Sequence, residues 1–249
     1  MYAASDCNTL ANAVPAAIAT GTTLLVGVWT EDTNHFNAEK AALLAAVQEY
    51  GHNWIISVSV GSEDLYRGNT DANTLASQIH DVRGMLWSVG AGSVEVGRTS
   101  FSYLVSVSCL YSFPITDVDT WTAWVKPENA PVIMACDFVG TDGYPYYQDA
   151  SINDGSNTFW SSVDATRRAV NNVKPGTWVW ITETGWPISG NSLGAAQPST
   201  ANAQSYWKSV ACQAFKEAHT FWFTLQDYSS SPSFGVVNSA FQPNYDLSC

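Results

Sequence analysis

Short apolar runs rich in β-branched and aromatic residues recur along this chain, separated by Ala-rich amphipathic segments. That alternation restricts the fold more than any other feature. The runs are Thr23–Trp29, Trp54–Val60, Cys136–Thr141, Trp178–Thr182 and Thr220–Leu225. Each is nearly continuous in apolar residues and bounded by polar residues or glycine, as expected of strands covered on both faces. Phe36–Tyr50, Asp71–Val89, Thr158–Val173 and Thr200–Ala218 read as helices between them, and a further helix is expected over Asn8–Ala19. Asn37, Asp71, Asn157 and Ser199 or Thr200 are the candidate N-caps, with Gly51, Gly90 and Gly176 just beyond three of the helices. Strand followed by helix over the whole length implies an α/β fold with a parallel sheet. A short stretch at Tyr2–Ser5 and a strand within Ser93–Ser108 bring the strand count to about seven, where a closed (β/α) barrel has eight. No linker, charge run or low-complexity segment divides residues 1–249, so one domain is expected.

Charge narrows the partners. The chain carries 22 acidic against 10 basic side chains, a formal net charge of -12, which repels phosphate backbones and anionic lipid. Neither nucleic acid nor a membrane is an expected partner, and no apolar run approaches the roughly 20 residues that cross a bilayer. Hydrophobic residues at 46% against charged residues at 13% exclude intrinsic disorder. Eleven Trp and eleven Tyr exceed what a core of this size needs and lean towards sugars, whose C–H faces stack on flat rings; core and rim packing is the plainer use of the same rings. The five cysteines, at 7, 109, 136, 212 and 249, contain no C-x-x-C pair and no histidine at ligand spacing, so no metal is expected. His35, His52, His80 and His219 share no spacing and read as structural.

In parallel α/β barrels chemistry gathers at the C-terminal ends of strands. Two such ends finish in a carboxylate: the Trp54 run leads into Gly61-Ser62-Glu63-Asp64, and the Trp178 run into Glu183-Thr184-Gly185-Trp186-Pro187. Two glutamates at one barrel mouth are the requirement of glycosidic-bond cleavage, one to protonate the leaving oxygen and one to attack or to activate water. The segment from Val179 to Pro187 resembles the nucleophile signature of glycoside hydrolase family 17, the β-1,3-glucanase family. The segment from Val58 to Arg67 resembles the acid/base segment of that family's fungal branch of glucanases and glucanosyltransferases. Ser5-Asp6-Cys7-Asn8, Gly27-Val28-Trp29, Asp119-Thr120-Trp121-Thr122-Ala123-Trp124, Phe223-Thr224-Leu225-Gln226-Asp227 and the closing Tyr245 to Cys249 are similar to further blocks in order.

The resemblance implies a (β/α)8 TIM-type barrel and a retaining enzyme acting on β-1,3-glucan, with Glu183 as nucleophile and Glu63 as acid/base. Glu63, protonated at rest beside a charged Glu183, would protonate the departing oxygen and then deprotonate the acceptor, water for hydrolysis or a glucan hydroxyl for transfer. Retention implies carboxyl groups about 5–5.5 Å apart. No cofactor is required, the expected state is a monomer, and the expected location is secreted or at the cell wall. Tyr144, after the strand that should be sixth, is expected to hydrogen-bond the nucleophile, with simple packing as the alternative; Trp186, Trp29, Tyr66 and Tyr2 are candidate sugar contacts, with rim packing as the alternative for the two tryptophans. Trp222, inside a strand, is expected in the core.

Two features depart from the family pattern. The chain begins within what should be strand 2, so the expected barrel lacks its first β/α unit. Residues 98–115 (Arg98–Ile115) hold a single charge and an extra cysteine where relatives run almost directly into the Asp119 block. They read as an atypical insertion, explained by translation of an unremoved intron or by a genuine added segment. Without Cys109 the remaining four cysteines form an even, secreted-type set.

Overall fold

The computed structural model describes residues 1–91, 114–228 and 230–249. Five strands form one sheet in chain order: β1 (Leu24–Val28), β2 (Ile55–Ser62), β3 (Ile115–Thr120), β4 (Phe138–Asp142) and β5 (Trp178–Glu183). The helices are α1 (Thr9–Thr20), α2 (Thr33–Tyr50), α3 (Asp64–Arg67), α4 (Ala72–Ser88), α5 (Trp121–Trp124), α6 (Ala130–Ala135), α7 (Gly155–Val173), α8 (Thr200–Tyr206) and α9 (Cys212–Glu217). β1 pairs in parallel with β2, Val28 opposite Val60, and β2 with β3, Val58 opposite Ile115. Nearly every residue of β2 is buried, as its nearly continuous apolar run requires. The α/β class read from the alternation is therefore observed.

The described residues fall into two compact units, 1–118 with 128–138, and 119–127 with 139–249. In the first, Val26, Val28, Val58, Val60 and Ile115 of the strands are buried, as are Leu43 and Val47 of α2 and Leu75, Ile79, Val82 and Leu86 of α4. Arg83 of α4 donates to the carbonyl of Ala135 at 2.8 Å and to Asp137 at 3.1 Å, closing the end of α6. The core of the second unit gathers Phe159 and Val163 of α7, Ile181 of β5, and Trp186, Tyr206, Val210 and Phe234. A π-helical turn, Trp207–Ala211, joins α8 to α9. A disulfide ties Cys212 to Cys249, 37 residues apart in sequence. Trp222 is half-buried against this core, 4.8 Å from the ring of Trp207.

Several elements differ from expectation. β3 begins at Ile115, the last residue of the segment read as an insertion, and went unexpected because its buried Thr116, Asp117 and Asp119 break the apolar pattern. The strand within Ser93–Ser108 and the insertion up to residue 113, Cys109 included, lie outside the described residues. The Thr220–Leu225 segment makes one parallel bridge, Thr220 to Ile181, and hydrogen-bonds from Phe223 N to Thr184 O at 2.9 Å. It then turns to Val236 and Val237, whose N–H groups donate to Thr224 and Leu225, so no regular strand forms there. Tyr2–Ser5 is likewise not a strand, although Met1 accepts from Gly27 N at 2.8 Å and donates to Leu25 O at 3.1 Å, alongside β1. Asp32, not Asn37, caps α2, accepting from the N–H groups of Asn34 and His35, and α7 starts before Asn157, at Gly155. Asp71 and Ser199 cap as expected.

Candidate active site

In the first unit β2 ends in a forced turn. Gly61 has φ +92°, and a Cβ there would lie 2.4 Å from Asp64 Oδ2 and 2.8 Å from Asp117 Oδ1. Glu63 follows at φ 57°, ψ 25°, a left-handed conformation that costs a non-glycine residue about 1–2 kcal/mol. Its backbone is held by an N–H bond to Val118 O at 2.8 Å. Strain of this kind at a strand end marks a side chain whose direction matters. Oε2 of Glu63 accepts from Arg67 Nη2 at 2.6 Å and Nε at 3.1 Å, one turn on. Asp64 supports the turn from inside, accepting from Ser62 N at 2.9 Å and Thr30 Oγ1 at 2.8 Å; burial raises its carboxyl above the ordinary value.

Around the same unit's N-terminus, Glu39 of α2 is fully buried and accepts from the N–H groups of Ala4 (2.6 Å), Ser5 (2.7 Å) and Trp29 (3.2 Å), and from the Ser5 hydroxyl. It latches the N-terminal segment to the end of β1. Asp6, His35 and Glu39 offer ligand atoms within 4.8 Å of one another, the one such group among the described residues. With both Glu39 oxygens engaged by the main chain, the three residues serve this latch. Trp29 is half-buried; Tyr2 and Tyr66 are exposed.

The second unit holds Glu183, the last residue of β5. Its carbonyl accepts from Gly143 N at 3.0 Å, and its Oε2 accepts from the Tyr144 hydroxyl at 2.6 Å. Adjacent strand ends thus bring together the two residues expected to meet. The Tyr144 ring is fixed by edge contacts to Tyr147, Phe223 and Phe234 at 5.6–6.0 Å. On the flanks of Glu183, Thr182 donates to Asp142 Oδ1 at 2.7 Å and Thr184 to Gly143 O at 2.8 Å. Gly185 must lack a side chain, since a Cβ would stand 2.4 Å from Phe223 O.

Trp186, named as a candidate sugar contact, is 1% exposed; its indole donates to Gln197 O at 3.1 Å and its ring packs against Tyr206. Of the two uses considered for it, the structure has packing: the turn after Glu183 carries its ring inwards. Tyr147, which the sequence did not single out, is 56% exposed while touching Tyr144, and so presents a ring beside the nucleophile candidate. Its signal lay in the Tyr144-Pro145-Tyr146-Tyr147 string, where a short 3-10 helix separates the roles of three tyrosines: bonding, burial and exposure. Among the remaining described cysteines, Cys7 is exposed, and burial pushes the Cys136 thiol up to about 12.

A parallel α/β chain that ends strands in glutamate, one of them under a phenol, has the parts of a glycoside hydrolase. Comparison with known proteins agrees: the chain belongs to the BtgE/BtgC glycoside hydrolase domain family, which it matches over residues 1–236. It is 40% identical to a probable glucan endo-1,3-beta-glucosidase of Aspergillus oryzae over the whole of this chain and 53% of that protein. It is 36% identical to a glucan 1,3-beta-glucosidase of Saccharomyces cerevisiae over 85% of this chain and 64% of that one. The chain spans about half the length of the Aspergillus relatives it matches. In fold it is similar to a glycoside hydrolase family 17 β-1,3-glucanosyltransferase from Rhizomucor miehei, with a TM-score of 0.79 at 24% identity over 99% of this chain and 84% of that one. The family 17 resemblance read from the residues, in its fungal branch, therefore holds.

Proposed function

We propose that this chain is a retaining glycoside hydrolase of β-1,3-glucan, a glucanase or glucanosyltransferase of (β/α)8 type acting as a monomer outside the cell or at its wall. The observation that carries the proposal is the Tyr144 hydroxyl donating to Glu183 Oε2 at 2.6 Å. That bond orients the carboxylate that attacks the anomeric carbon. As the new C–O bond forms, the glycosidic C–O bond breaks, and its electron pair goes to the leaving oxygen, which takes the proton of Glu63. Glu63 then accepts a proton from water or from a glucan hydroxyl as that acceptor displaces Glu183. Arg67, 2.6 Å from Oε2, orients the Glu63 carboxyl. Tyr147, Trp29, Tyr66 and Tyr2 would supply sugar contacts, and Trp186 would brace the nucleophile turn from within.

The printed names of the relatives support this substrate: glucan endo-1,3-beta-glucosidase for the Aspergillus proteins, and laminaritriose bound to a mutant of the Rhizomucor miehei enzyme. The test is incubation of the 249-residue chain with reduced laminari-oligosaccharides, products followed by mass, beside Glu183→Gln. Shorter products, or longer ones from transfer, that vanish in the variant are expected. A folded chain with no turnover would overturn the proposal and leave a glucan-binding remnant.

A further inference from the structure

β5 carries chemistry at one end and, about 17 Å away along the strand at about 3.3 Å per residue, a pocket at the other. The pocket belongs wholly to the second unit. Its volume is about 430 Å³, and its lining includes Trp178 and Trp180 of β5, Phe215, Glu217 and His219 at and after the end of α9, and Arg167 of α7. Trp178 and Trp180 share a face of the strand because side chains alternate. Trp180 is buried with the His219 ring 4.2 Å away, whereas Trp178 is 62% exposed and Phe215 45% exposed. Two large rings standing in solvent beside a concavity are unusual at a strand start, where nothing in the proposed chemistry needs them.

The polar groups of the wall define what the rings would hold. Arg167 lies 3.2 Å from Asp164 and 3.8 Å from Glu217, so its charge is answered locally. Desolvation keeps the His219 imidazole below its ordinary value and hence neutral near pH 7, leaving a ring that both donates and accepts. Lys216 adds one exposed ammonium. A phosphate or carboxylate would find no uncompensated cluster here. A neutral polyhydroxyl ligand would find flat apolar faces flanked by charged groups able to bind hydroxyls. We infer that this pocket is a second carbohydrate site, in which Trp178 and Phe215 stack on successive residues of a glucan chain and Arg167, Glu217 and His219 bind its hydroxyls. The choice of β-1,3-glucan as occupant rests on the proposed function; the reading of a neutral sugar rests on the pocket alone.

The test separates retention from turnover. Wild type, Trp178→Ala and Trp178→Tyr are incubated with insoluble β-1,3-glucan, the bound fraction is measured, and turnover of reduced laminaritetraose is followed in parallel. Trp178→Ala is expected to weaken retention about tenfold, Trp178→Tyr to restore most of it, and all three to turn over the short substrate equally. Thermal unfolding checks that the exposed substitutions leave the fold intact. Equal retention by wild type and Trp178→Ala, or no retention by either, overturns the second site while turnover still judges the enzyme. Loss of retention in Trp178→Ala by a chain without turnover keeps the site and discards the enzyme. A wild-type dimer that Trp178→Ala converts to monomer also overturns it, by giving the exposed ring to a second copy of the chain.

Discussion

At the scale of single residues the hydrogen bond from Tyr144 to Glu183 invites a direct measurement. A hydrogen bond to a charged group contributes about 1.5–3 kcal/mol, so Tyr144→Phe is expected to lower kcat about 10- to 100-fold with little change in KM. Steady-state kinetics on laminari-oligosaccharides reads both. Asp64 gives a pH prediction. Folding raises its carboxyl above 3.8, so the folded state holds this proton more tightly than the unfolded chain. The group's contribution to stability is then largest below that value and falls as pH rises through the folded value. In urea unfolding from about pH 4 to pH 7, Asp64→Asn should lose less stability with rising pH than wild type. Both strand-end glutamates were legible because an apolar run that stops at a carboxylate is conspicuous. Glu39 was not, since its partners are backbone N–H groups some 34 residues away in the case of Ser5 and 10 in that of Trp29. Trp186 was ambiguous for a related reason: its position in the chain says that it follows Glu183, but the turn decides which way the ring goes.

At the scale of elements, periodicity located α1, α2, α4 and α7 and four of the five strands, because each buries an apolar stripe or run. β3 escaped because its interior residues include Asp117 and Asp119, buried polar groups that an apolar criterion rejects. Asn37, beside the first apolar residue of its helix, is the cap the pattern suggests. Asp32, four residues earlier than Phe36, satisfies the N–H groups of Asn34 and His35 and so starts the helix sooner. The Thr220–Leu225 run has strand composition, yet its backbone partners are shared between β5 and the Phe234–Val237 stretch, so composition was not enough. The disulfide from α9 to the C-terminal residue could not be read from spacing at all. It closes a 37-residue separation, and Lys208 adds bonds to Asp246 and Ser248 at 2.8 Å beside it. Replacing both Cys212 and Cys249 by Ser should lower stability by about 2–4 kcal/mol, seen as an earlier midpoint in denaturant under oxidising conditions.

For the whole molecule, the formal charge of -12 bears on which substrates approach well. Turnover of neutral laminari-oligosaccharides should be nearly flat between about 0.01 and 0.5 M ionic strength, whereas a carboxymethylated β-1,3-glucan should react slowly at low salt and gain as salt screens the repulsion. Initial rates on both substrates check this. The two compact units were invisible in the sequence for a simple reason: they interleave, with residues 119–127 in one and 128–138 in the other, so no linker exists to be noticed. The sheet register has a consequence for how such a chain can vary. The bond from Gly143 N to the Glu183 carbonyl and the bond from the Tyr144 hydroxyl to its carboxylate join the same two strand ends. One residue inserted or deleted within β5 would turn Glu183 to the opposite face, and one within β4 would shift Tyr144 out of line with it. Length changes in the loops around α7 leave that alignment untouched. The paired strands act as a ruler, and over generations the connection between them is free to grow or shrink while the ruler's own marks are not.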